Sequence, residues 1–300
     1  MQIVFDRGTL LLIDPPPALD PAELEGVLWD PRVNAHRAPA WRHGALIGEL
    51  TSRGIPVRDG ASTWRRLILN GLRPPSLRSY QSAALWSWHA SGRRGVVSLP
   101  TGSGKTWVAL GALAELRVPT LLLVPTRVLL HQWRRALGNV YDGEVGCFGD
   151  GERRLAPVTV STFESAYRHM AGWGSRFGLL VVDEVHHFGD CTRDLLLEMS
   201  VAPARLGLTA TPPEPGTGAD RLAELVGPLV HRATLAELRG RYLAEFDRIT
   251  LLLELSPSER SAYEADYGAF RSAYLPFREQ HPEASWADFL RHAGQTDEGR

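Results

Sequence analysis

Short runs of consecutive apolar residues alternate with helical segments from Leu77 to about Val230, and this alternation restricts the fold more than any other feature of the chain. The runs include VVSLP, TLLLVP, VTVST, LLVVDE and ARLGLTAT, and segments such as WVALGALAEL and RVLLHQWRRAL lie between them. A strand that is apolar on both faces needs cover on both faces. The pattern therefore predicts an α/β fold, a parallel sheet with helices on each side.

The segments that flank this block follow other patterns. QIVFD and TLLLID, joined by Arg7-Gly8, predict a hairpin, and PAELEGVLW and WRHGALIGELTSRG predict two helices. After the block, LAELRGRYLAEF predicts a helix, ITLLLELS a strand, and SPSERSAYEADYGAFRSAYLPFREQ a long helix. We therefore expect a small α/β domain over residues 1–73, the main lobe over 74–235, and a strand and helical extension over 236–300.

Composition excludes several classes of protein. A formal net charge of −1 over 300 residues gives no global attraction to nucleic acid, so such binding needs local patches. Cys147 and Cys191 lack the spacing of a zinc site or of a disulfide framework. The first residues lack a basic leader region, and no stretch of about 18 apolar residues exists. We expect a cytoplasmic protein without a membrane segment.

LPTGSGKT, residues 99–106, follows an apolar run and precedes a helical segment, which is the context of a phosphate-binding loop. Glycines let the backbone approach phosphates, and amides at the helix start can donate to them. Lys105 is the only lysine of the chain, and its narrow ammonium suits the β- and γ-phosphates better than a planar guanidinium does. Thr106 offers a hydroxyl to Mg²⁺. We expect ATP to bind at Thr101, Gly102, Ser103, Gly104, Lys105 and Thr106.

LLVVDEVHH, residues 179–187, ends an apolar strand with two carboxylates. The carboxyl ends of parallel strands are where open α/β sheets bind ligands. Asp183 is predicted to hold Mg²⁺, and Glu184 to orient or deprotonate an attacking water. Together with Lys105, these two residues are the predicted catalytic groups.

Hydroxyl and imidazole groups follow two of the strands. The adjacent His186 and His187 point apart on a strand or turn, which favours one surface histidine and one coupling residue over metal ligation. GLTATP, residues 207–212, places Thr209 and Thr211 directly after an apolar strand. These short hydroxyls are suited to hydrogen bonds with the acidic motif. We therefore predict that His186, Thr209 and Thr211 couple the state of the nucleotide to the rest of the lobe.

In this order the motifs resemble those of superfamily-two helicases and translocases, and most closely the XPB-like branch and its relatives among type III restriction subunits. The resemblance rests on LRSYQ (77–81), LPTGSGKT, LLVPTRVLLHQW (122–133), VTVSTFESA (158–166), LLVVDEVHHFG (179–189), GLTATPP (207–213) and LVGPLVHR (225–232). It implies a RecA-like main lobe, preceded by a domain of the damage-recognition type.

The resemblance also implies roles for further residues. Gln81 corresponds to the glutamine that recognises adenine, with Arg78 nearby in the same element. Thr126 and Arg127 match a motif that contacts the nucleic-acid backbone, and Thr162 lies in a second such element. The alternative for Arg127 is a surface arginine at a helix start.

Two departures from the XPB pattern shape the functional prediction. The Arg-Glu-Asp element that follows TAT in XPB proteins is replaced by PPEPGTGAD, which favours translocation or remodelling over duplex melting by that element. The sequence also lacks the pattern of a second RecA-like lobe, which in this family completes the ATP site. An arginine supplied in this way accelerates hydrolysis by roughly 10³–10⁵. We therefore expect weak hydrolysis by this chain alone and a second lobe in cis or in trans.

Two peripheral surfaces leave alternatives open. Arginines exceed acidic residues between residues 31 and 78 and are interleaved with Trp41 and Trp64, which is typical of a DNA-contacting surface or of a solvated face with two core tryptophans. The arginines are Arg32, Arg37, Arg42, Arg53, Arg58, Arg65, Arg66, Arg73 and Arg78, against only Glu49 and Asp59. In the last helix, aromatic residues at helical spacing favour core packing over a thumb-like grip on DNA. They are Tyr263, Tyr267, Phe270 and Tyr274.

The sequence thus predicts an ATP- and Mg²⁺-dependent DNA helicase or translocase of the XPB type, acting in DNA repair, transcription or defence against foreign DNA. Its expected substrate is duplex or forked DNA. The alternative is an ATP-gated DNA-binding scaffold that regulates a partner nuclease without processive unwinding. DNA-stimulated ATP hydrolysis separates the first hypothesis from the second. A phosphate-loop kinase is disfavoured, because kinases need neither LRSYQ nor TATP.

Overall fold

The computed structural model of the chain describes residues 1–64, 71–190, 193–214, 218–242, 251–284 and 286–295. It divides into two compact units, Met1–Glu245 and Phe246–Arg300. The described strands are β1 Gln2–Asp6, β2 Thr9–Ile13, β3 Leu28–Asp30, β4 Ala35–Pro39, β5 Arg58–Gly60, β6 Arg94–Ser98, β7 Thr120–Val124, β8 Val145–Gly149, β9 Glu152–Arg154, β10 Val158–Thr162, β11 Leu179–Asp183, β12 Ala204–Thr209 and β13 Leu229–Arg232. The helices are α1 His43–Ser52, α2 Ser79–Ala90, α3 Lys105–Leu116, α4 Arg127–Gly138, α5 Phe163–Trp173, α6 Leu195–Glu198, α7 Ala219–Leu225, α8 Leu235–Leu238, α9 Pro257–Gln280 and α10 Trp286–Ala293.

The large sheet has the order β13-β6-β12-β11-β7-β10-β8-β9, and every pair in it is parallel except β8 with β9. Successive residues of a strand face opposite sides. Leu122 and Val181 accordingly pack with helices α2, α3 and α4 on one face, whereas Leu121 and Val182 pack with α5, α6 and α7 on the other. The predicted RecA-like sheet, covered by helices on both faces, is confirmed.

The first residues form the predicted hairpin, with β1 and β2 paired antiparallel. It belongs to a five-stranded sheet of order β3-β4-β2-β1-β5, and α1 lies within the predicted helix and ends just before Gly54. This sheet and its core make the small N-terminal domain. Whether it ends at residue 73 stays a prediction, because Met1–Glu245 is one compact unit.

The helix predicted from Pro21 is wrong. A single 3₁₀ turn, Pro21–Glu23, is followed by extended backbone at Leu24 and then by β3. Gly26 has a φ of +73°, a left-handed conformation that interrupts a helix. Three short strands, β3, β4 and β5, were not predicted, and neither were β8, β9 and β13 in the large sheet.

The second half of the chain corrects two further predictions. The predicted helix after Ala233 forms only as α8, because Gly240 turns the backbone to a φ of +71°, and residues 243–246 lie outside the described residues. The predicted strand ITLLLELS is absent from its described part, residues 251–256, which is irregular and strongly exposed. The long helix is confirmed as α9, which begins with a capping box between Ser256 and Glu259.

The aromatic side chains of α9 are more exposed than core packing predicts. Tyr263 and Tyr267 are 57% and 47% exposed and stack on each other along the helix. Phe270 and Tyr274 lie against Phe289 of α10.

Of the helices in the described part of the chain, none is long and apolar enough to cross a membrane.

Candidate functional site

The phosphate loop joins β6 to α3 in a conformation that its glycines make accessible. Gly102 and Gly104 both have a φ of +79°, which L side chains rarely adopt. Helix α3 begins at Lys105, so its first amides have no acceptor within the helix. The Lys105 Nζ donates to the carbonyl of Leu99 at 3.3 Å and thus folds back over the loop. Thr106 is half-buried in the first turn of α3. The loop therefore presents amides, an ammonium and a hydroxyl together.

Gln81 lies under this loop and is 3% exposed. Its Nε2 donates to the carbonyls of Ser103 and Gly104 at 2.9 and 3.3 Å, and its Oε1 accepts from the Arg78 amide at 2.9 Å. Both amide hydrogens are thus directed at the loop, and the oxygen keeps one lone pair. The observed contacts hold the loop to α2, and the remaining acceptor is the atom with which the expected adenine recognition can operate.

The side chain of Arg78 takes a different direction from that of Gln81. Its Nη1 donates to the carbonyl of Tyr242 at 2.9 Å, and its guanidinium lies 6.0 Å from the ring centre of that tyrosine. Tyr242 also contacts Ser79, and its ring lies tilted against that of Tyr80, whose hydroxyl donates to the Ser103 carbonyl. These aromatic residues, which the sequence did not single out, connect the segment after the large sheet to the phosphate loop.

Asp183 and Glu184 lie at the end of β11 as predicted. Asp183 is 6% exposed; its Oδ1 accepts from the Glu184 amide at 3.1 Å and its Oδ2 from Trp133 Nε1 at 2.8 Å. Burial raises the pKa of the Asp183 carboxyl, whereas the hydrogen bond from Trp133 lowers it. Glu184 has a φ of 51°, an uncommon conformation for a side chain of this kind.

His186 joins the acidic motif to the end of β12. Its Nδ1 lies 2.9 Å from Thr209 Oγ1 and 3.4 Å from Glu184 Oε2. The Thr209 hydroxyl also donates to the Thr211 carbonyl at 3.2 Å, and the Thr211 amide donates back to it at 3.0 Å. The Leu99 amide donates to the Thr209 carbonyl at 3.0 Å, so this cluster also contacts the phosphate loop. The structure therefore brings together the three residues predicted to couple.

Thr126, Arg127 and Thr162 lie at the same edge of the sheet, two and three strands from β12. Thr126 accepts from the amide of Leu129 as the N-cap of α4, and Thr162 accepts from the amide of Ser165 as the N-cap of α5. Arg127 is 74% exposed in its side chain and lies 3.5 Å from an Asp150 carboxylate oxygen. Two neighbouring helix N-termini and a guanidinium form a surface suited to phosphate.

A cavity of about 590 Å³ adjoins this surface. Its walls combine aromatic rings with one guanidinium and one carboxylate, and burial lowers the pKa of His187, which lines it. The lining residues are Pro125, Thr126, Phe163, Glu164, Tyr167, His187, Arg193 and Leu196. Aromatic faces and cations are the groups that contact bases and phosphates.

Trp133 is a residue of the candidate site that sequence reasoning did not single out. It lies on the buried face of α4 with Leu130 and Leu137, and it is 2% exposed. A buried indole N–H needs an acceptor. That rule, applied to a tryptophan in a motif near an acidic strand end, is the signal that could have found it.

The basic excess of residues 31–78 is partly neutralised by acidic residues that come earlier in the sequence. Arg32 and Arg37 pair with Asp30, and Arg42 pairs with Glu25. Arg65 and Arg66 lie outside the described residues. The interpretation of this region as an exposed basic surface is therefore weakened.

The two tryptophans of this region pack against the large lobe. Trp41 packs against the core of the α5 face and lies between the guanidiniums of Arg42 and Arg221. Trp64 packs against the core of the opposite face. These contacts match the alternative in which the two rings serve packing.

Other candidate chemistry is limited in the described residues. They contain no group of three His, Cys, Asp or Glu side chains that could hold a metal ion. Cys147 is a buried free thiol whose pKa burial raises, and Cys191 lies outside the described residues.

Two family models match the chain. Residues 75–214 match the type III restriction enzyme, res subunit, and residues 3–61 match the xeroderma pigmentosum group B helicase damage recognition domain. The predicted resemblance to XPB-like helicases and translocases is confirmed. Along the chain, the damage recognition match covers the small sheet and the type III restriction match covers the large sheet that follows it.

Curated relatives are similar to the chain over most of its length. The DNA 3′-5′ translocase XPB2 of Sulfurisphaera tokodaii is 33% identical over 252 residues, which cover 82% of this chain and 56% of the relative. The DNA 3′-5′ helicase XPB of Kineococcus radiotolerans is 33% identical over 292 residues, which cover 88% and 51%. The chain thus spans about half the length of these relatives. Among solved structures, the Sulfolobus solfataricus SWI2/SNF2 ATPase core in complex with dsDNA aligns with a TM-score of 0.47 and 17% identity, over 55% of this chain and 38% of that one.

Proposed function

We propose that this chain is the nucleotide-binding motor lobe of an ATP-dependent DNA translocase or helicase. The observation that carries the proposal is the row of strand ends β6, β12, β11, β7 and β10, which places the phosphate loop, Thr209, Asp183, Thr126 and Thr162 along one edge of the sheet. Relatives named as XPB translocase and helicase support DNA as the substrate.

The donor set at this edge fits Mg²⁺ bound together with nucleotide phosphates. Mg²⁺ prefers oxygen ligands and uses one or two carboxylates plus phosphates. Asp183 supplies a carboxylate whose pKa burial raises, and Thr106 supplies a hydroxyl. When bound, Mg²⁺ neutralises charge on the β- and γ-phosphates.

The side chains of the site have separate tasks in hydrolysis. Gln81 holds the phosphate loop in place and offers its remaining lone pair to adenine, and Lys105 neutralises the β- and γ-oxygens. Glu184 orients the attacking water and accepts its proton. His186 lies between Glu184 and Thr209, so a change at the γ-phosphate can reach β12 through these contacts. A second lobe in cis or in trans then supplies the charge stabilisation that makes turnover fast.

At the other end of the row, Thr126, Arg127 and Thr162 contact the DNA backbone. Helix N-termini and guanidinium groups bind phosphate without reading sequence, as a translocase requires. The test is the salt dependence of duplex DNA binding by the wild-type chain and by Arg127→Ala. Loss of one phosphate contact lowers the salt slope by about 1. The control is Arg176→Ala, an exposed arginine that precedes β11 at the opposite edge. If the salt dependence of DNA binding has the same slope for Arg127→Ala and Arg176→Ala, Arg127 does not contact a DNA phosphate.

The nucleotide part of the proposal is tested by calorimetry with a non-hydrolysable ATP analogue. Binding that requires Mg²⁺ and is lost in Lys105→Ala supports it, and absence of binding in the wild-type chain refutes it. Turnover is then measured with DNA and with a second lobe joined in cis or added in trans. DNA-stimulated turnover supports a motor, whereas nucleotide-dependent affinity for a nuclease without turnover favours the scaffold.

A further inference from the structure

Helix α4 and strand β11 are connected by one buried hydrogen bond between their side chains. Trp133 Nε1 donates to Asp183 Oδ2 at 2.8 Å, although the two residues are 50 positions apart. Trp133 is 2% exposed and Asp183 6% exposed, so solvent does not compete for the bond. A hydrogen bond to an ionised acceptor contributes more than one between neutral groups.

The bond also restricts how the carboxylate can turn. Asp183 Oδ1 accepts from the Glu184 amide and Oδ2 accepts from Trp133, so both oxygens have a fixed donor. A carboxylate has about four lone-pair sites, which leaves one on each oxygen for a cation or its water. Two donors on opposite oxygens hold the plane of the group before any ligand arrives.

We propose that Trp133 is a positioning residue that orients Asp183 for the Mg²⁺-nucleotide complex. It acts through Asp183 and touches neither nucleotide nor water. The inference rests on the proposed function, because it needs Asp183 to be the Mg²⁺ ligand. Substitution of groups that orient metal ligands typically lowers metal affinity by about 10–100-fold.

A second buried tryptophan provides a matched control. Trp88 of α2 is 0% exposed, belongs to the same core cluster as Trp133, and donates from Nε1 at 2.8 Å. Its acceptor is the carbonyl of Arg205. Trp88→Phe and Trp133→Phe therefore remove the same atoms from the same core, and only one of them removes a donor to the acidic motif.

The experiment titrates Mg²⁺ into the full 300-residue chain with a fluorescent, non-hydrolysable ATP analogue and follows anisotropy. We expect Trp133→Phe to raise the Mg²⁺ concentration at half-maximal binding by about 10-fold or more, while Trp88→Phe leaves it within about twofold of wild type. Equal midpoints for the two variants overturn the proposal. Mg²⁺-independent or absent binding by the wild-type chain instead refutes the proposed function.

A measurement on the unsubstituted protein covers the case in which Trp133→Phe does not fold. The indole N–H proton of each tryptophan gives its own NMR signal. Addition of the Mg²⁺-nucleotide complex is expected to shift the signal of Trp133, because its acceptor becomes a metal ligand, and to leave that of Trp88 in place. A Trp133 signal that does not move under saturating complex contradicts the proposed positioning.

Discussion

Arg205 is a fully buried cation at the start of β12, and its removal is expected to destabilise the lobe strongly. The residue is 0% exposed. Its guanidinium donates to four main-chain carbonyls, those of Ala202, Leu197, Leu225 and Ser200. Three of these carbonyls lie in or just after the ends of α6 and α7, where the helix dipole favours a positive charge.

The magnitude follows from the acceptors that Arg205→Met leaves without this donor. The carbonyls of Leu197 and Leu225 keep a second donor, the Ser200 amide and Arg94 Nη2, so the loss falls on those of Ala202 and Ser200. A buried acceptor without a donor costs about 1–3 kcal/mol, so these two give roughly 2–6 kcal/mol as an upper range. The variant also removes a buried charge, whose desolvation costs several kcal/mol. The net loss expected in the free energy of unfolding is therefore about 2–4 kcal/mol, a large part of the roughly 5–15 kcal/mol of a typical domain.

Urea denaturation followed by circular dichroism measures this loss. The control is Arg154→Met, in which the side chain is 55% exposed and donates to one carbonyl, that of Val145. We expect this variant to stay within about 0.5 kcal/mol of wild type. An Arg205→Met protein within about 1 kcal/mol of wild type refutes the reasoning, because it shows that the carbonyls of Ala202 and Ser200 find other donors.

Three further predictions concern the loop and the pH dependence of the fold. Lys105→Arg is expected to retain the circular dichroism spectrum and to lose ATP binding by calorimetry, since a planar guanidinium does not fit the glycine loop; wild-type affinity contradicts this. Gly104→Ala is expected to displace Gln81, because its Nε2 lies 2.8 Å from the position of the added Cβ. A φ of +79° adds about 1–2 kcal/mol of strain for alanine, so this variant is also expected to weaken nucleotide binding at least 10-fold. Burial lowers the pKa of His231 below its ordinary value of 6.5, so the unfolded chain binds a proton before the folded chain does, and the free energy of unfolding falls as the pH falls through 6.5. His231→Gln is expected to reduce that slope in urea denaturation, and an unchanged slope contradicts the assignment.

The large sheet could be predicted because its strands are buried on both faces and therefore read as unbroken apolar runs. The small sheet lacks that signal. β4 has the sequence AHRAP, and its arginine belongs in a strand only because Asp6 and Asp30 pair with it there. The same pairing explains why a count of charges over residues 31–78 overstated the basic surface: the hairpin and β3 bring in acidic side chains from earlier in the chain.

Positions of the site motifs followed from the sequence, whereas the contacts among them did not. The phosphate loop, the pair Asp183-Glu184 and the threonines after β12 each follow an apolar strand. The topology of a parallel sheet alone therefore places them at one edge of the sheet. The bond from Trp133 to Asp183 depends on how α4 packs on the sheet, and the contacts of Gln81 depend on the distance between α2 and the loop. Such distances are set by side-chain packing between elements, which a local pattern does not contain.

The order of the strands gives the acidic motif a central place between the two proposed binding surfaces. Neighbouring strands are about 4.8 Å apart, so the row from β6 to β10 spans roughly 19 Å. The strands are paired with one another and cannot shift independently, so side chains must carry a change from one surface to the other. On one side His186 contacts Thr209, and on the other Trp133 contacts Asp183. Trp133 lies two helical turns after Thr126, so α4 connects the acidic motif to the proposed DNA contact.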